Sequence, residues 1–248
     1  MPNWSDPRNA GVNAATVGVP RAARDAGLRS YMLSVYNYMA SGVLLTGIVA
    51  LLFVQSGMVN SLFNPATGGP SLLYWVALFA PLGVVMWLQI GINRISSGTA
   101  QGLFWAYAGL LGVSLSTLFL VYTGTSIAQT FFATAAAFLG LSLFGYTTKK
   151  DLSGFGTFLI MGVVGLFVAM LLNMFLKSPA LNLAISAIGV LLFAGLTAYD
   201  TQRIKSTYFA VAGQGAAMTK SAVIGALQLY LDFINMFLFL LRFMGDRR

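Results

Sequence analysis

The chain has 248 residues, 58% of them hydrophobic and only 8% charged, against about 25% charged in a typical soluble domain. That composition excludes disorder and argues against a water-soluble enzyme. Cysteine and histidine are both absent, which removes disulfides, thiolate nucleophiles, conventional zinc and haem sites, serine–histidine triads and imidazole proton relays.

Residues 1–30 are polar, contain Asn, Pro and Gly, and lack a signal-peptide core; they read as a flexible tail. Residues 30–93 and 95–148 then carry no charge. A membrane-crossing helix needs ~20 mostly apolar residues, so each run holds about two spans. Further uncharged runs cover 152–176 and 178–199, and the last apolar stretch, 221–243, contains only Asp232 and Arg242. The runs lack the polar–apolar alternation of barrel strands. Turn residues divide the long runs at Ser56–Ser71 and Tyr122–Ser126. The predicted spans are 31–55, 73–93, 101–122, 126–146, 156–176, 181–200 and 221–243, giving an all-α, seven-helix transmembrane domain over 31–245.

Orientation follows the lysine and arginine bias. Arg21, Arg24 and Arg29 precede the first span, Arg94 follows the second, Lys149 and Lys150 the fourth, and Arg203, Lys205 and Lys220 the sixth. These place the amino terminus in the cytoplasm. Seven spans put the carboxyl terminus outside, where Arg242, Arg247 and Arg248 oppose the rule. Residues 221–243 are long enough to cross, and we prefer seven crossings to a re-entrant segment. The net charge of +8 fits basic loops facing anionic lipid, and no basic, aromatic-interleaved soluble segment points to nucleic acid. Tyr31, Trp75, Trp87 and Trp105 read as interfacial anchors or packing.

Glutamate is absent, and the acids are Asp6, Asp25, Asp151, Asp200, Asp232 and Asp246. Asp232 lies near the middle of the last span. An aspartate there costs roughly 2.5–3.5 kcal/mol, so it must face the bundle interior, and such groups mark ion or proton paths. Asn235 shares its helix face. Asp200 ends the sixth span; alone it reads as a boundary residue paired with Arg203. Helices six and seven are consecutive, however, and two carboxylates brought together in a low dielectric titrate as a unit. Such a pair holds a proton or weakly binds a cation. Arg94 reads either as an ion-pair partner of Asp200 closing the cytoplasmic end or as an ordinary loop cation. Asp151 or Ser153 caps the fifth helix. Gly109, Gly112, Gly162 and Gly165 read as close-packing positions, and Pro81 as a kink. A retinal protein needs a lysine deep in a helix, and 221–243 has none.

The segments GYTTKKDLSGFGTFL (145–159), ISAIGVLLFAGLTAYDTQRIK (185–205) and ALQLYLDFINMFLFLLRFMG (226–245) resemble the bacterial branch of the Bax inhibitor-1, or transmembrane Bax-inhibitor-motif, family. The likeness covers about residues 30–245. It implies a seven-helix fold with the last helix enclosed by the other six, and a pH-sensitive calcium leak. By motif, Asp200 and Asp232 fall on the family's paired-aspartate sensor, and Arg94, in GINRISSGTAQG, on its second-helix arginine. The expected function is therefore a cation leak of the bacterial inner membrane, gated at Asp200, Asp232 and Arg94, with Asn235 beside the path. Calcium wants six to eight oxygens, so its site on Asp200 and Asp232 would be weak and transient. Two alternatives remain: a non-transporting regulator of a membrane-bound AAA protease, with tail 1–30 as its handle, and a proton/cation antiporter. No resident cofactor and no enzymatic activity are expected, since no general base accompanies the serines and threonines.

Overall fold

The structure, a computed structural model, describes residues 21–65 and 67–248. Seven helices are long and apolar enough to cross a membrane: α1 (Arg21–Gln55), α2 (Leu72–Gly91), α3 (Ser97–Leu115), α4 (Gly124–Thr147), α5 (Ser153–Leu176), α6 (Pro179–Val211) and α7 (Gly215–Met244). A short helical turn, Leu118–Val121, continues α3 after a break at Ser116 and Thr117. Polar side chains set the starts. Ser71, Ser96, Thr123 and Ser178 each accept a hydrogen bond from a backbone N–H in the first turn of the helix that follows, satisfying donors that the helix itself leaves free. Pro179 then occupies the first turn of α6, where its missing N–H costs nothing. Asp151 caps the approach to α5: its Oδ1 accepts from the Ser153 N–H at 2.9 Å.

Three helices outrun the apolar stretches that reveal them. α1 begins at Arg21 rather than 31, so residues 21–30, read as tail, are helical, and Leu28 is buried; residues 1–20 lie outside the described residues. α6 runs to Val211 instead of stopping at 200, and α7 starts at Gly215 instead of 221. At 1.5 Å per residue, these helices are roughly 45–53 Å long, well beyond the ~30 Å hydrocarbon core. Their extra turns are polar and pack on one another at the same end of the bundle. The Tyr31 hydroxyl bonds Ser221 Oγ at 2.9 Å, and the Tyr31 and Tyr208 rings lie 5.5 Å apart. Hydropathy sees only the part of a helix that lipid covers.

α7 is the core element. Its apolar stretch is 67% buried, against 11% to 33% for the other six. Its packing neighbours are α1, α3, α4 and α6; α2 packs on α3, and α5 on α6. Four of the six helices expected around α7 thus pack along it; α5 reaches it at Arg242, whose Nη1 lies 3.8 Å from Met170 Sδ. α7 is unbroken from Gly215 to Met244, and the residues beyond it are held at the α3–α4 turn. Asp246 N donates to Ser126 Oγ, Arg248 N donates to Val121 O, and Thr123 N donates to Asp246 O. Arg247 lies over the Tyr122 ring and Arg242 over Phe239. Two of the three basic residues that strain the charge rule, Arg242 and Arg247, are therefore engaged by aromatic faces.

In lipid, helices gain little from hydrophobic association and rely on close approach and hydrogen bonds. Gly145 is the tightest approach: a Cβ there would collide with the backbone of Ala198, so α4 and α6 meet main chain to main chain. Gly112 faces Thr46 O and Val49 of α1, and Gly162 faces Leu192. Gly109 and Gly165, expected to do the same, face open space. Pro81 is buried within α2, which continues to Gly91.

Candidate functional site

Asp232 is 4% exposed, on the face α7 turns to the bundle. Asp200 lies inside α6, not at its end; the helix continues about 16 Å beyond it. The two carboxyl groups face each other where α6 and α7 meet, close enough to perturb one another. No amide, hydroxyl or cationic donor among the described residues reaches the buried Asp232 Oδ2. A bond between two carboxyl groups needs a proton between them, since two carboxylates offer four acceptors and no donor.

The cation whose charge acts on Asp200 is Arg203, three residues on along the same helix. Arg94 is not its partner. It is exposed in the α2–α3 turn, and α2 packs against α3 rather than α6, so the expected Arg94–Asp200 ion pair does not form. Asn235 is not bonded to Asp232 either; its Nδ2 donates to Leu231 O at 2.8 Å on its own helix. Among the described residues no three metal-ligating side chains cluster. The two aspartates thus bring two carboxylates to any cation, far short of a calcium cage.

The turn of α6 that carries Asp200 is bonded outward on several sides. Thr201 Oγ1 lies 3.0 Å from Ser142 Oγ on α4, which is 2.7 Å from the Tyr36 hydroxyl on α1. Gln202 accepts from Leu152 N and donates to Lys150 O, and so holds the α4–α5 loop. Lys205 Nζ donates to Tyr146 O at 2.7 Å. Successive residues of a helix point about 100° apart, so one segment, Asp200 to Lys205, addresses α7, α4 and the α4–α5 loop, and through Ser142 reaches α1. A second buried node lies on α7. The fully buried Tyr230 hydroxyl is 2.6 Å from Thr46 Oγ1, which donates toward Ala108 O and Gly42 O. Residues 28–248 match the family described as inhibitor of apoptosis-promoting Bax1. The chain belongs to this Bax inhibitor family.

Its relatives are bacterial. A Caulobacter vibrioides protein is 50% identical over 90% of this chain and 91% of its own length. The protein RP147 of Rickettsia prowazekii is 49% identical over 90% and 92%. The inner membrane protein YbhL of Escherichia coli is 45% identical over 90% and 94%. Within the Bax inhibitor fold of this chain, the hydroxyl nodes at Tyr36, Ser142, Thr201, Thr46 and Tyr230 went unread in the sequence. A signal was present. Ser126, Thr130, Thr134, Phe138 and Ser142 recur every fourth residue and are all buried along α4. That spacing marks one face of a helix turned inward.

Proposed function

We propose that the protein is a pH-sensitive calcium leak, with the Asp200–Asp232 pair as its proton-responsive closure. The observation that carries this reading is the meeting of two carboxyl groups between α6 and α7, one of them buried where no amide, hydroxyl or cationic donor reaches it. With one proton shared, the pair ties α6 to α7. Losing that proton leaves two like charges face to face; adding a second replaces a charge-assisted bond with a weaker neutral one. Either change alters the seal, and ionised carboxylates attract a hard divalent cation. A site of two carboxylates completed by water and backbone carbonyls holds calcium weakly, as conduction requires. The groups whose charge or protonation matters here are Asp200, Asp232 and Arg203. The same proposal places the protein in the bacterial inner membrane, where YbhL is found by name, with its amino terminus cytoplasmic by the lysine and arginine bias.

Calcium entry into dye-loaded proteoliposomes tests the activity. We expect flux above protein-free liposomes that runs only down the calcium gradient. No flux at pH 6 or pH 8 would refute the leak. Uphill calcium movement driven by an imposed proton gradient would replace it with antiport.

A further inference from the structure

α1 and α4 do not pack along their lengths; they meet through the Tyr36–Ser142 hydrogen bond. Between them is a cavity of ≈ 380 Å³, lined by Arg29, Leu33 and Tyr36 of α1 and by Leu139, Leu143 and Tyr146 of α4. That volume is within the range of about 300–1,000 Å³ common for small-molecule sites. Its surfaces differ by depth. Leu33, Leu139 and Leu143 are 51%, 69% and 63% exposed on the bundle's outer side. The floor is Tyr36 and Ser142, whose hydroxyls bond each other. The mouth, at the end where α1 begins, is cationic. Arg29 is exposed there without an ion-pair partner among the described residues, although Asp25 precedes it by one turn. Lys205, outside the lining, holds the lining residue Tyr146: its Nζ donates to Tyr146 O and lies 5.0 Å from the ring centre.

We propose that this cavity seats one anionic phospholipid from the leaflet at the amino-terminal end of α1, its phosphate on Arg29 and an acyl chain against Leu33, Leu139 and Leu143. The chemistry matches on both counts. Leucine walls open to the bilayer take an alkyl chain and offer nothing to a soluble anion. An unpaired arginine at the membrane surface favours a negative headgroup over a zwitterionic one. The hydroxyls of the floor already satisfy one another, so no polar ligand group is needed deep in the cavity. The seat also touches the machinery of the proposed leak, because Ser142 bonds Thr201, the neighbour of Asp200 in α6. That coupling rests on the proposed function; the binding itself does not.

Native mass spectrometry of the full chain in detergent reads binding without any calcium flux, so its failure and that of the leak are separable. The probes are phosphatidylglycerol, phosphatidylcholine and inorganic phosphate. We expect phosphatidylglycerol to be retained in preference to phosphatidylcholine, and inorganic phosphate not to bind. Arg29→Gln should weaken phosphatidylglycerol retention about fivefold and erase the preference. Lys177→Asn, at the far end of α5, should change nothing. Leu139→Trp, at an exposed position that tolerates bulk, should lower retention of both lipids by filling the seat. Equal retention of the two lipids by the wild type would overturn the proposal. So would matching losses in Arg29→Gln and Lys177→Asn, wild-type retention in Leu139→Trp, or binding of phosphate alone.

Discussion

Replacing Asp232 with asparagine keeps the shape of the side chain and changes only its proton chemistry. The amide can donate to Asp200 directly, so the bond between α6 and α7 no longer depends on a shared proton. The size of the repulsion removed follows from the proposed shared-proton contact. Hydrogen-bonded carboxyl groups place their charges about 4 Å apart, and two unit charges at that distance repel by about 4 kcal/mol at an effective dielectric constant of about 20. That corresponds to about three powers of ten in an equilibrium between sealed and open states. Even a third of it shifts the ratio about tenfold. The assay is the initial rate of calcium entry into dye-loaded proteoliposomes at pH 6 and pH 8, for wild type, Asp232→Asn and Asp200→Asn. Circular dichroism and equal reconstitution verify folding. The wild-type rates at the two pH values should differ severalfold, and their ratio should move towards unity in both variants. If both variants kept the wild-type ratio, the pair would not be the proton-responsive element, and the mechanism would fall whatever the absolute rates.

Gly145→Ala should lower thermal stability by about 1–3 kcal/mol, because its methyl group must push Ala198 and the α6 backbone away; Gly109→Ala, facing open space, should be neutral or slightly stabilising. A thermal-shift comparison in one detergent reads both. Asp151 is held below the ordinary carboxylate range by the Ser153 backbone N–H. A carboxylate with a lowered folded-state value contributes its capping bond fully above the ordinary range and loses it as pH falls through the lowered value. Hydrogen exchange at the start of α5, corrected for intrinsic rates, should therefore quicken in acid for wild type, whereas Asp151→Asn should show no such dependence. Equal acid sensitivity in the two would assign the effect elsewhere.

The membrane spans were legible because charge is so costly in hydrocarbon that its absence over residues 30–93 and 95–148 writes the topology directly. Asp200 and Asp232 were legible for the converse reason, as acids where acids are expensive. What stayed hidden depends on which helices touch. Arg94 lies just past the end of α2 and Asp200 within α6, helices that do not pack together, and a linear sequence with positive-inside loops cannot distinguish a neighbour from a stranger. Tyr36, Ser142 and Thr201 are ordinary helix residues one by one; their meaning arises only when three helices converge on them. The helix ends were misplaced for a third reason. The turns at 21–30 and 201–211 meet one another, Gly27 lying against Tyr208, and α7 joins them through Ser221 and Tyr31; hydropathy carries no record of those contacts.

The clasp at the carboxyl terminus has a mechanical consequence. α7 is pinned at one end by Ser221 on Tyr31 and at the other by residues 246–248 on the α3–α4 turn. Between them the Tyr230–Thr46 bond fixes its azimuth. Sliding by one helical turn, about 5.4 Å, would break all three anchors at once. The rod that carries Asp232 is therefore braced against piston motion, and in the proposed leak the displacement that parts the two carboxyls runs sideways, across the bundle axis.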